Sequence, residues 1–376
     1  MTASVDAASR PLRIVIAGGG TGGHLYPAIA IAEAFRRHDP HCSCLFIGTA
    51  RGLESKVVPA LGYRLELLPV QGLLRRMSLR NLLVPWRLLQ SVRKCLRLFR
   101  EFSPDLVIGT GGYVSGPALL TAWWSRRAFV IQEQNNYPGL VNRMLGNRAA
   151  AVFLSFDDDG KYFKRRDRVF VVGSPVRSSL APGGIDARRQ AAAHWQLEVD
   201  KTTLLVFGGS QGALGINRLI EALLPDFAEI NDLQILWATG PSHYERVAPL
   251  IATQPRLRVV PFIEDMDLAY AMADLALCRA GSTIFELTQC GMPSILIPYP
   301  FATADHQTHN ARALEQAGAA VVMPESTTQP SHLLATIRDL VDDPARRQKM
   351  SAAAKSLAKP RAADDIVDHC LKLLKR

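Results

Sequence analysis

The sequence predicts an α/β protein made of two doubly wound, parallel-sheet domains. Three observations lead to this prediction: the length of the chain, the alternation of apolar runs with helical patterns, and the restart of that pattern near the middle. A chain of 376 residues exceeds the usual size of one hydrophobic core, so two domains are expected. Hydrophobic residues make up 48% and charged residues 21%, which is typical of a folded globular protein.

Near-continuous apolar runs are typical of strands in parallel sheets that helices cover on both faces. In the first half of the chain such runs lie at 13–17, 44–48, 105–110, 128–133, 150–155 and 168–173. In the second half they lie at 202–208, 233–239, 257–262, 275–278, 294–299 and 320–324. Helical patterns separate the runs, for example at 28–37 and 215–224.

The pattern restarts at 204–217, where LLVFGGSQGALGIN repeats the strand and glycines of the N-terminus. We therefore predict one domain over 1–173 and a second over 174–355. An amphipathic helix within 356–376 is expected to pack back toward the first domain. Ligands of such folds bind outside the carboxyl ends of the strands, so the predicted site is the cleft between the domains.

The segment 72–102 carries much of the positive charge. The chain has a net charge of +10, and this segment holds eight Lys or Arg residues, a single acid, and interleaved Leu, Val, Trp and Phe. Such a stretch suits anionic lipid headgroups. The alternative is a solvated helix face whose Arg stems cover the core. Nucleic acid is not predicted as a partner, because the aromatic residues show no base-stacking pattern.

The N-terminus and the apolar runs bear on localisation. Residues 1–10 are polar and precede a short apolar run, which does not fit a secretory signal. No run reaches the roughly 18 apolar residues that a membrane span needs. A cytoplasmic protein is therefore expected.

The first glycine loop lies in IVIAGGGTGGH, residues 14–24. Gly18, Gly20 and Gly23 match the dinucleotide-binding pattern G-x-G-x-x-G. That pattern needs an acid at the end of the second strand to bind ribose, and none occurs before Glu54. A P-loop needs Lys and Ser or Thr where His24 and leucine stand. Neither standard nucleotide motif fits.

A loop of this kind presents backbone N–H groups at a helix N-terminus to an anion. Pro27 is expected in the first turn of that helix, where no internal N–H bond is needed. A second glycine turn, GTGGYVSGP at 109–117, follows another strand of the same domain. We expect both loops at one sheet edge, where they can hold one diphosphate. The alternative is two tight turns with packing glycines.

Residues 278–311 form the segment richest in reactive side chains. Ser282 or Thr283 can cap a helix, and Glu286 then lies in its first turn, facing the cleft. A carboxylate there can accept both hydroxyls of a ribose. Alternatively, Glu286 only complements the helix dipole.

The stretch DHQTHN at 305–310 opens another helix with groups suited to hydrogen-bonding a sugar. His306 and His309 have a spacing usable for a metal, but no third ligand is evident and the neighbouring amides favour a sugar. No metal site is predicted. The Asp-x-Asp triplets at 157–159 and 265–267 are interpreted as surface or loop sequence.

Taken together, GGGTGGH, GTGGYVSGP, EQN, GSPVR, GGSQGA, FIEDM and the 278–311 segment closely resemble the MurG family of bacterial glycosyltransferases. These motifs run in order from residue 18 to residue 311. The resemblance implies the GT-B fold, with an acceptor-binding, membrane-associating first domain and a second domain that binds UDP-N-acetylglucosamine. It implies inverting transfer of N-acetylglucosamine to the C4 hydroxyl of lipid-linked muramyl-pentapeptide in peptidoglycan synthesis, at the cytoplasmic face of the inner membrane. No cofactor is implied, and other cell-wall synthesis proteins are possible partners.

The resemblance also implies roles for single residues. In the donor site, Ser210, Gln211 and Arg177 bind the UDP diphosphate, the backbone of Ile263 binds uracil, and Glu286 binds ribose. His306, Gln307 and Asn135 hold the sugar hydroxyls. The implied acceptor-diphosphate residues are Gly20, Thr21, Gly22, Gly23, Gly111, Gly112 and Tyr113.

His24 is the leading candidate for the general base, because it titrates near neutral pH and ends a phosphate loop. The alternative is a histidine that only binds the acceptor diphosphate.

The chain departs from the family pattern twice: Gln132 stands where the family has a histidine, and the loop 279–286 is one residue shorter.

Three other functions remain open from the sequence. A UDP-N-acetylglucosamine 2-epimerase has a similar double-Rossmann scaffold, but it gives no reason for the basic apolar segment. A glycolipid transferase with another acceptor is the nearest rival. A non-catalytic protein that binds anionic lipid would tolerate loss of His24 and Glu286.

Overall fold

The computed structural model describes residues 10–71, 83–178, 180, 184–251, 254, 256–302 and 305–375. The chain forms two compact units. Unit 1 comprises Met1–Gln134, Pro138–Pro175 and Arg361–Arg376, and unit 2 comprises Asn135–Tyr137 and Val176–Pro360. Each unit is built on a parallel sheet with helices between the strands. The predicted fold class, two Rossmann-like doubly wound domains, is confirmed.

The sheet of unit 1 has seven parallel strands in the order β3-β2-β1-β4-β5-β6-β7. They are β1 (Arg13–Gly18), β2 (Ser43–Gly48), β3 (Arg64–Leu67), β4 (Leu106–Gly111), β5 (Phe129–Glu133), β6 (Ala151–Leu154) and β7 (Val169–Val171). The chain reverses its direction across the sheet between β1 and β4, which pair directly. At such a switch point the two strand ends diverge into loops and leave room for a ligand.

Six α-helices of the described residues lie around this sheet. They are α1 (Gly22–His38), α2 (Glu54–Ala60), α3 (Val84–Phe102), α4 (Ser115–Trp124), α5 (Leu140–Leu145) and, from the end of the chain, α15 (Ala362–Leu373). Helix α15 packs against α1. Its Ile366 and Cys370 are fully buried in the same apolar cluster as Ile29 and Phe35. The predicted C-terminal helix thus forms part of the core of unit 1.

Helix α1 begins earlier than the sequence indicated. The prediction placed Pro27 in the first turn, but that turn is made of Gly22, Gly23 and His24. Pro27 therefore lies inside the helix rather than in its first turn, and that prediction was wrong. Because proline lacks an N–H, it cannot bond the carbonyl of Gly23 one turn earlier.

Unit 2 has six parallel strands in the order β10-β9-β8-β11-β12-β13, with its switch point between β8 and β11. The strands are β8 (Thr202–Phe207), β9 (Leu233–Ala238), β10 (Leu257–Val260), β11 (Leu275–Cys278), β12 (Ser294–Leu296) and β13 (Ala320–Val322). The helices are α6 (Ile185–Trp195), α7 (Leu214–Ala222), α8 (Leu224–Phe227), α9 (Pro241–Val247), α10 (Met266–Met272), α11 (Thr283–Cys290), α12 (His306–Gln316), α13 (Pro330–Asp342) and α14 (Pro344–Ser356).

The strands β8 and β9 are buried throughout, as expected for the centre of a covered parallel sheet. Trp237 of β9 is the largest fully buried side chain. Its indole N–H donates to the Asn217 side-chain oxygen at 3.1 Å, and Asn217 donates to the Thr239 carbonyl at 2.8 Å. These bonds fix α7, the helix that follows the glycine loop of unit 2, to the end of β9.

Candidate functional site

The two glycine loops of unit 1 meet at the carboxyl ends of β1 and β4, as the sequence predicted. Gly112 has a φ of +76°, and a Cβ there would lie 2.7 Å from the Gly19 carbonyl oxygen. No side chain fits at that distance, so glycine allows the two backbones to touch. Tyr113 follows directly and leaves 42% of its side chain exposed beside Gly20.

His24 lies between the two loops. Its Nδ1 is 3.1 Å from the Thr110 carbonyl oxygen, and the Gln134 side-chain amide contacts the same nitrogen. A Cβ at Gly111 would lie 2.5 Å from this Nδ1, so only glycine there admits the ring. A carbonyl can only accept, so the bond to Thr110 requires the tautomer with the proton on Nδ1 and the basic lone pair on Nε2, in which the Gln134 amide turns its oxygen toward Nδ1.

The surroundings of His24 set its charge. Burial lowers the pKa of the imidazole below its usual value, while the charges of Glu133 and Glu54 and the bonds to Thr110 and Gln134 raise it. Burial is the largest of these effects, so the ring is neutral near pH 7. A neutral imidazole with a free Nε2 lone pair can accept a proton.

Glu133 is one of the buried acids near His24. Its Oε2 accepts the Gly139 N–H at 2.9 Å and the Asn142 amide at 2.8 Å. These bonds hold the turn after β5, where Gln134 is presented to the histidine. Gln132, which stands where the resembling family has histidine, is fully buried and donates to the Ser155 hydroxyl at 3.3 Å.

The N-terminus of α1 begins within the predicted acceptor loop. Thr21 is the N-cap residue and makes no side-chain capping bond. The N–H groups of Gly22 and Gly23 have no acceptor within the helix, since the first turn of a helix never does. Such groups form a typical anion site. The Gly20 N–H differs, because it donates to the Glu54 carboxylate at 2.8 Å inside the protein.

In unit 2, the loop 208–212 connects β8 to the N-terminal end of α7. Gly209 and Gly212 have φ values of +87° and +75°, and a side chain at Gly212 would overlap the Thr239 carbonyl. Ser210 is half-buried and Gln211 is exposed. The loop therefore places both predicted diphosphate residues beside a helix N-terminus.

The predicted ribose acid, Glu286, lies in the first turn of α11. Its Oε2 accepts the Tyr270 hydroxyl at 3.0 Å, and its Oε1 lies 3.7 Å from the Arg177 guanidinium. Burial raises the pKa of Glu286, whereas the Arg177 charge and the Tyr270 bond lower it. Burial also raises the pKa of Tyr270 well above its usual value, so the phenol keeps its proton and donates. Tyr270 was missed from the sequence.

Arg279 joins the ends of three strands. Its guanidinium donates to the carbonyls of Ile297 and Pro298 at 3.0 and 3.1 Å and pairs with Glu325. The loop that follows leads to Ser282, the N-cap residue of α11, which makes no side-chain capping bond. The predicted capping bond from this serine is therefore absent, because Ser282 has helical rather than extended backbone angles.

Gln307 lies in the first turn of α12 beside the same loop. Its Oε1 accepts the Tyr299 N–H at 2.9 Å, and its Nε2 lies 3.7 Å from the position of a Gly281 Cβ. His306 is the first residue of α12. Buried Ile263 follows β10, so all these residues lie beyond the carboxyl ends of one sheet.

Asn135 is half-buried and directly follows Gln134; it is grouped with unit 2. Of the predicted donor residues, the structure brings Arg177 and Glu286 into an ion pair. Within the described part of the chain, no group of three or more His, Cys, Asp or Glu side chains is arranged to hold a metal ion.

Comparisons with known proteins address both units. Residues 14–154 match the glycosyltransferase family 28 N-terminal domain, and residues 203–366 match the family 28 C-terminal domain. A relative from Salinibacter ruber is 43% identical over 98% of this chain and 98% of its own length. It is named UDP-N-acetylglucosamine–N-acetylmuramyl-(pentapeptide) pyrophosphoryl-undecaprenol N-acetylglucosamine transferase.

Solved structures give the same picture of the fold. MurG of Acinetobacter baumannii superposes with a TM-score of 0.72 at 28% identity. The match covers 96% of this chain and 100% of the MurG chain. A UDP-GlcNAc 2-epimerase from Neisseria meningitidis, bound to UDP-GlcNAc, superposes with a TM-score of 0.68 at 14% identity, covering 96% and 100%. At 14% identity the second likeness shows the fold alone.

Proposed function

Because the chain belongs to glycosyltransferase family 28, we propose that it transfers N-acetylglucosamine from UDP-N-acetylglucosamine to the C4 hydroxyl of lipid-linked muramyl-pentapeptide. The observation that carries the proposal is the 43% identity, over nearly the full length of both chains, to a relative named for this reaction. The 2-epimerases have the same fold, so the fold alone does not distinguish a transferase from an epimerase. Identity and the order of the motifs favour the transferase.

On the acceptor side, the proposal gives His24 the role of general base. Its Nε2 takes the proton of the attacking hydroxyl, while Nδ1 stays bonded to Thr110. General base catalysis by a positioned imidazole contributes about 10²- to 10⁴-fold to a rate. The N–H groups of Gly22 and Gly23 and the Thr21 backbone bind the acceptor diphosphate, with Gly111, Gly112 and Tyr113 completing that loop pair.

On the donor side, the developing charge on the UDP leaving group is met by Arg177, Ser210, Gln211 and the N-terminus of α7. Positive and N–H groups fixed beforehand lower the barrier without reorganising. Tyr270 and Arg177 fix both oxygens of Glu286, so the carboxylate is oriented to accept ribose hydroxyls.

The remaining donor contacts rest on the family resemblance. The Ile263 backbone binds uracil, and His306, Gln307 and Asn135 bind the sugar hydroxyls. Gln307 supports this role by its position, because its Nε2 lies beside the Gly281 backbone. We propose no cofactor, and UDP-N-acetylglucosamine is a substrate.

The membrane-associating surface is proposed to lie on α3, α4 and α5 of unit 1, where α4 contacts both neighbours. Residues 72–82 of the predicted segment lie outside the described residues. The remainder, α3, buries one face and exposes Trp86 by 55%. Trp124 of α4 is 58% exposed and Met144 of α5 is 62% exposed. Arginines flank these apolar side chains, which suits an anionic lipid surface.

None of the described helices combines the length and apolarity required to cross a membrane. Binding at the cytoplasmic face of the inner membrane, and contact with other cell-wall synthesis proteins, remain proposals that rest on the resemblance.

The test is an assay with radiolabelled UDP-N-acetylglucosamine and lipid-linked muramyl-pentapeptide in detergent micelles. We expect a labelled lipid-linked disaccharide whose amount rises with the acceptor concentration, and no labelled lipid when undecaprenyl phosphate without the sugar replaces the acceptor. A reaction without acceptor checks the alternative, since an epimerase would convert the donor sugar alone. Conversion of the donor without acceptor, or no transfer, would refute the proposal.

A further inference from the structure

Glu54 is a fully buried acid in unit 1 that no role above uses. Its Oε1 accepts both the Thr49 N–H and the Thr49 hydroxyl at 2.8 Å. Its Oε2 accepts the Gly20 N–H, also at 2.8 Å. The carboxylate thus binds the end of β2 with one oxygen and the first glycine loop with the other.

Three glycines leave the space for this carboxylate. A Cβ at Gly19, at Gly48 or at Gly52 would overlap the side chain of Glu54. Gly48 ends β2 and Gly52 precedes α2, so two segments of the chain form the space: the first glycine loop and the connection from β2 to α2. The carboxylate is therefore held by three donors in a space that three glycines leave open. Its one bond to the acceptor loop is to the Gly20 peptide N–H.

We propose that Glu54 is a positioning residue for the acceptor, which fixes the Gly20 peptide so that the N-terminus of α1 and His24 face the acceptor diphosphate. The inference rests on the proposed function. Gly20 has a φ of +86°, and its N–H points inward to Glu54. The loop therefore leaves the next N–H groups, those of Thr21, Gly22 and Gly23, for the anion.

A carboxylate is required because both of its oxygens accept. In Glu54→Gln only one acceptor oxygen remains, and the other oxygen becomes an NH₂ donor. The oxygen can accept from Thr49 or from Gly20, and at the other position the NH₂ group faces a second donor. A buried N–H left without its acceptor costs enough to move the loop. The Glu54 charge also raises the pKa of His24, so its loss lowers that pKa.

The experiment compares Glu54→Gln with Glu66→Gln in the full chain. Glu66 is a matched control because it lies on the neighbouring β3 and pairs with Arg64 and Lys94, away from the loop. For Glu54→Gln we expect kcat/KM for the lipid acceptor to fall about tenfold to a hundredfold, with the KM for UDP-N-acetylglucosamine unchanged. The acidic limb of the pH–rate profile should move to lower pH, and Glu66→Gln should behave as the parent.

A second variant, Thr49→Val, keeps Glu54 and its charge but removes one of the bonds that orient it. It should lower acceptor kcat/KM in the same direction by less, without moving the pH limb. Melting temperature and UDP affinity report folding independently. Parental acceptor kinetics in both variants would overturn the inference, as would equal losses for donor and acceptor.

The two proposals fail in different ways. A parent enzyme that makes no disaccharide would refute the proposed function. Glu54 is then judged by the NMR amide signals of Gly20, Gly22 and Gly23 in the parent and in Glu54→Gln, where unchanged signals would overturn the inference and shifts confined to this loop would support it.

Discussion

The tautomer of His24 decides what its ring can do. The Thr110 carbonyl holds the proton on Nδ1, and Gly111 gives the ring room to reach that carbonyl. Nε2 is thereby left as the basic nitrogen. A sequence shows that a histidine ends a glycine loop, but the acceptor for its other nitrogen is 86 residues away in the chain.

His24→Gln tests the general base. In the parent, kcat should fall as the pH decreases through the His24 pKa, which burial sets below its usual value of 6.5, because the protonated ring cannot accept a proton. His24→Gln should lower kcat by about 10²- to 10⁴-fold and remove that acidic limb. His38→Gln is the control, since His38 is exposed at the other end of α1. An acidic limb that persists in His24→Gln would assign the base to another group.

Tyr270→Phe tests the orientation of Glu286 by its phenol. Removing the hydroxyl leaves Glu286 with Arg177 but without the 3.0 Å bond, and a bond to a charged group contributes about 1.5–3 kcal/mol. The KM for UDP-N-acetylglucosamine should rise about tenfold, while the acceptor KM stays the same. Tyr244→Phe, a half-buried tyrosine of the same unit, serves as control. An unchanged donor KM would show that Tyr270 only packs.

At the scale of elements, helix α3 shows what an amphipathic pattern predicts. Its buried positions, Ser91, Val92, Cys95, Leu98 and Phe99, follow helical spacing. The exposed side carries Arg93, Arg97 and Arg100. The exposure of Trp86 at its start, and of Trp124 on α4, could not be predicted. An apolar residue in a sequence indicates burial, and only the packed helices show which apolar residues the core leaves out.

Replacing both exposed tryptophans tests the membrane surface. Trp86→Ser with Trp124→Ser should lower binding to vesicles of anionic lipid about tenfold, since each removes a large apolar contact. Added salt should weaken binding of the parent, because screening reduces the attraction between arginines and headgroups. Vesicle flotation measures both effects. The control is Leu357→Ser, because Leu357 is a 38% exposed residue of unit 2, and this variant should bind vesicles as the parent does. An equal loss of vesicle binding in the control would contradict the membrane surface on α3 and α4.

The strands show where sequence prediction works and where it ends. Every predicted strand lies over an observed one, because continuous apolar runs such as that of β8 are typical of strands in covered parallel sheets. The edge strand β3 was missed: its sequence, RLEL, alternates and is partly exposed.

The role of Glu54 in the site could not be predicted, because the sequence shows it only as an acid that lies too far after β2 to bind ribose. Its true partner, Gly20, is 34 residues away, which no local pattern records.

At the scale of the whole molecule, unit 1 is completed by a helix that follows unit 2 in the chain. Ile366 and Leu371 of α15 are buried with residues of α1 and β1. The core of unit 1 therefore depends on contacts between the two ends of the described chain.

Ile366→Ala measures this dependence. Removing a fully buried isoleucine side chain should cost about 2–5 kcal/mol of unfolding free energy, seen as a lower midpoint in urea. Leu373→Ala is the control on the same helix, because Leu373 is 43% exposed. Its midpoint should match that of the parent. Equal midpoints for both variants would mean that α15 contributes nothing to the core.

The position of α15 also sets an order of events during synthesis on the ribosome. Unit 1 is translated first, yet its apolar face around Ile29 and Phe35 receives its cover only after all of unit 2 has emerged. Unit 2 has every strand and helix it needs before that moment. The nascent chain thus carries this apolar surface without its α15 cover until the last residues of the described chain have been made.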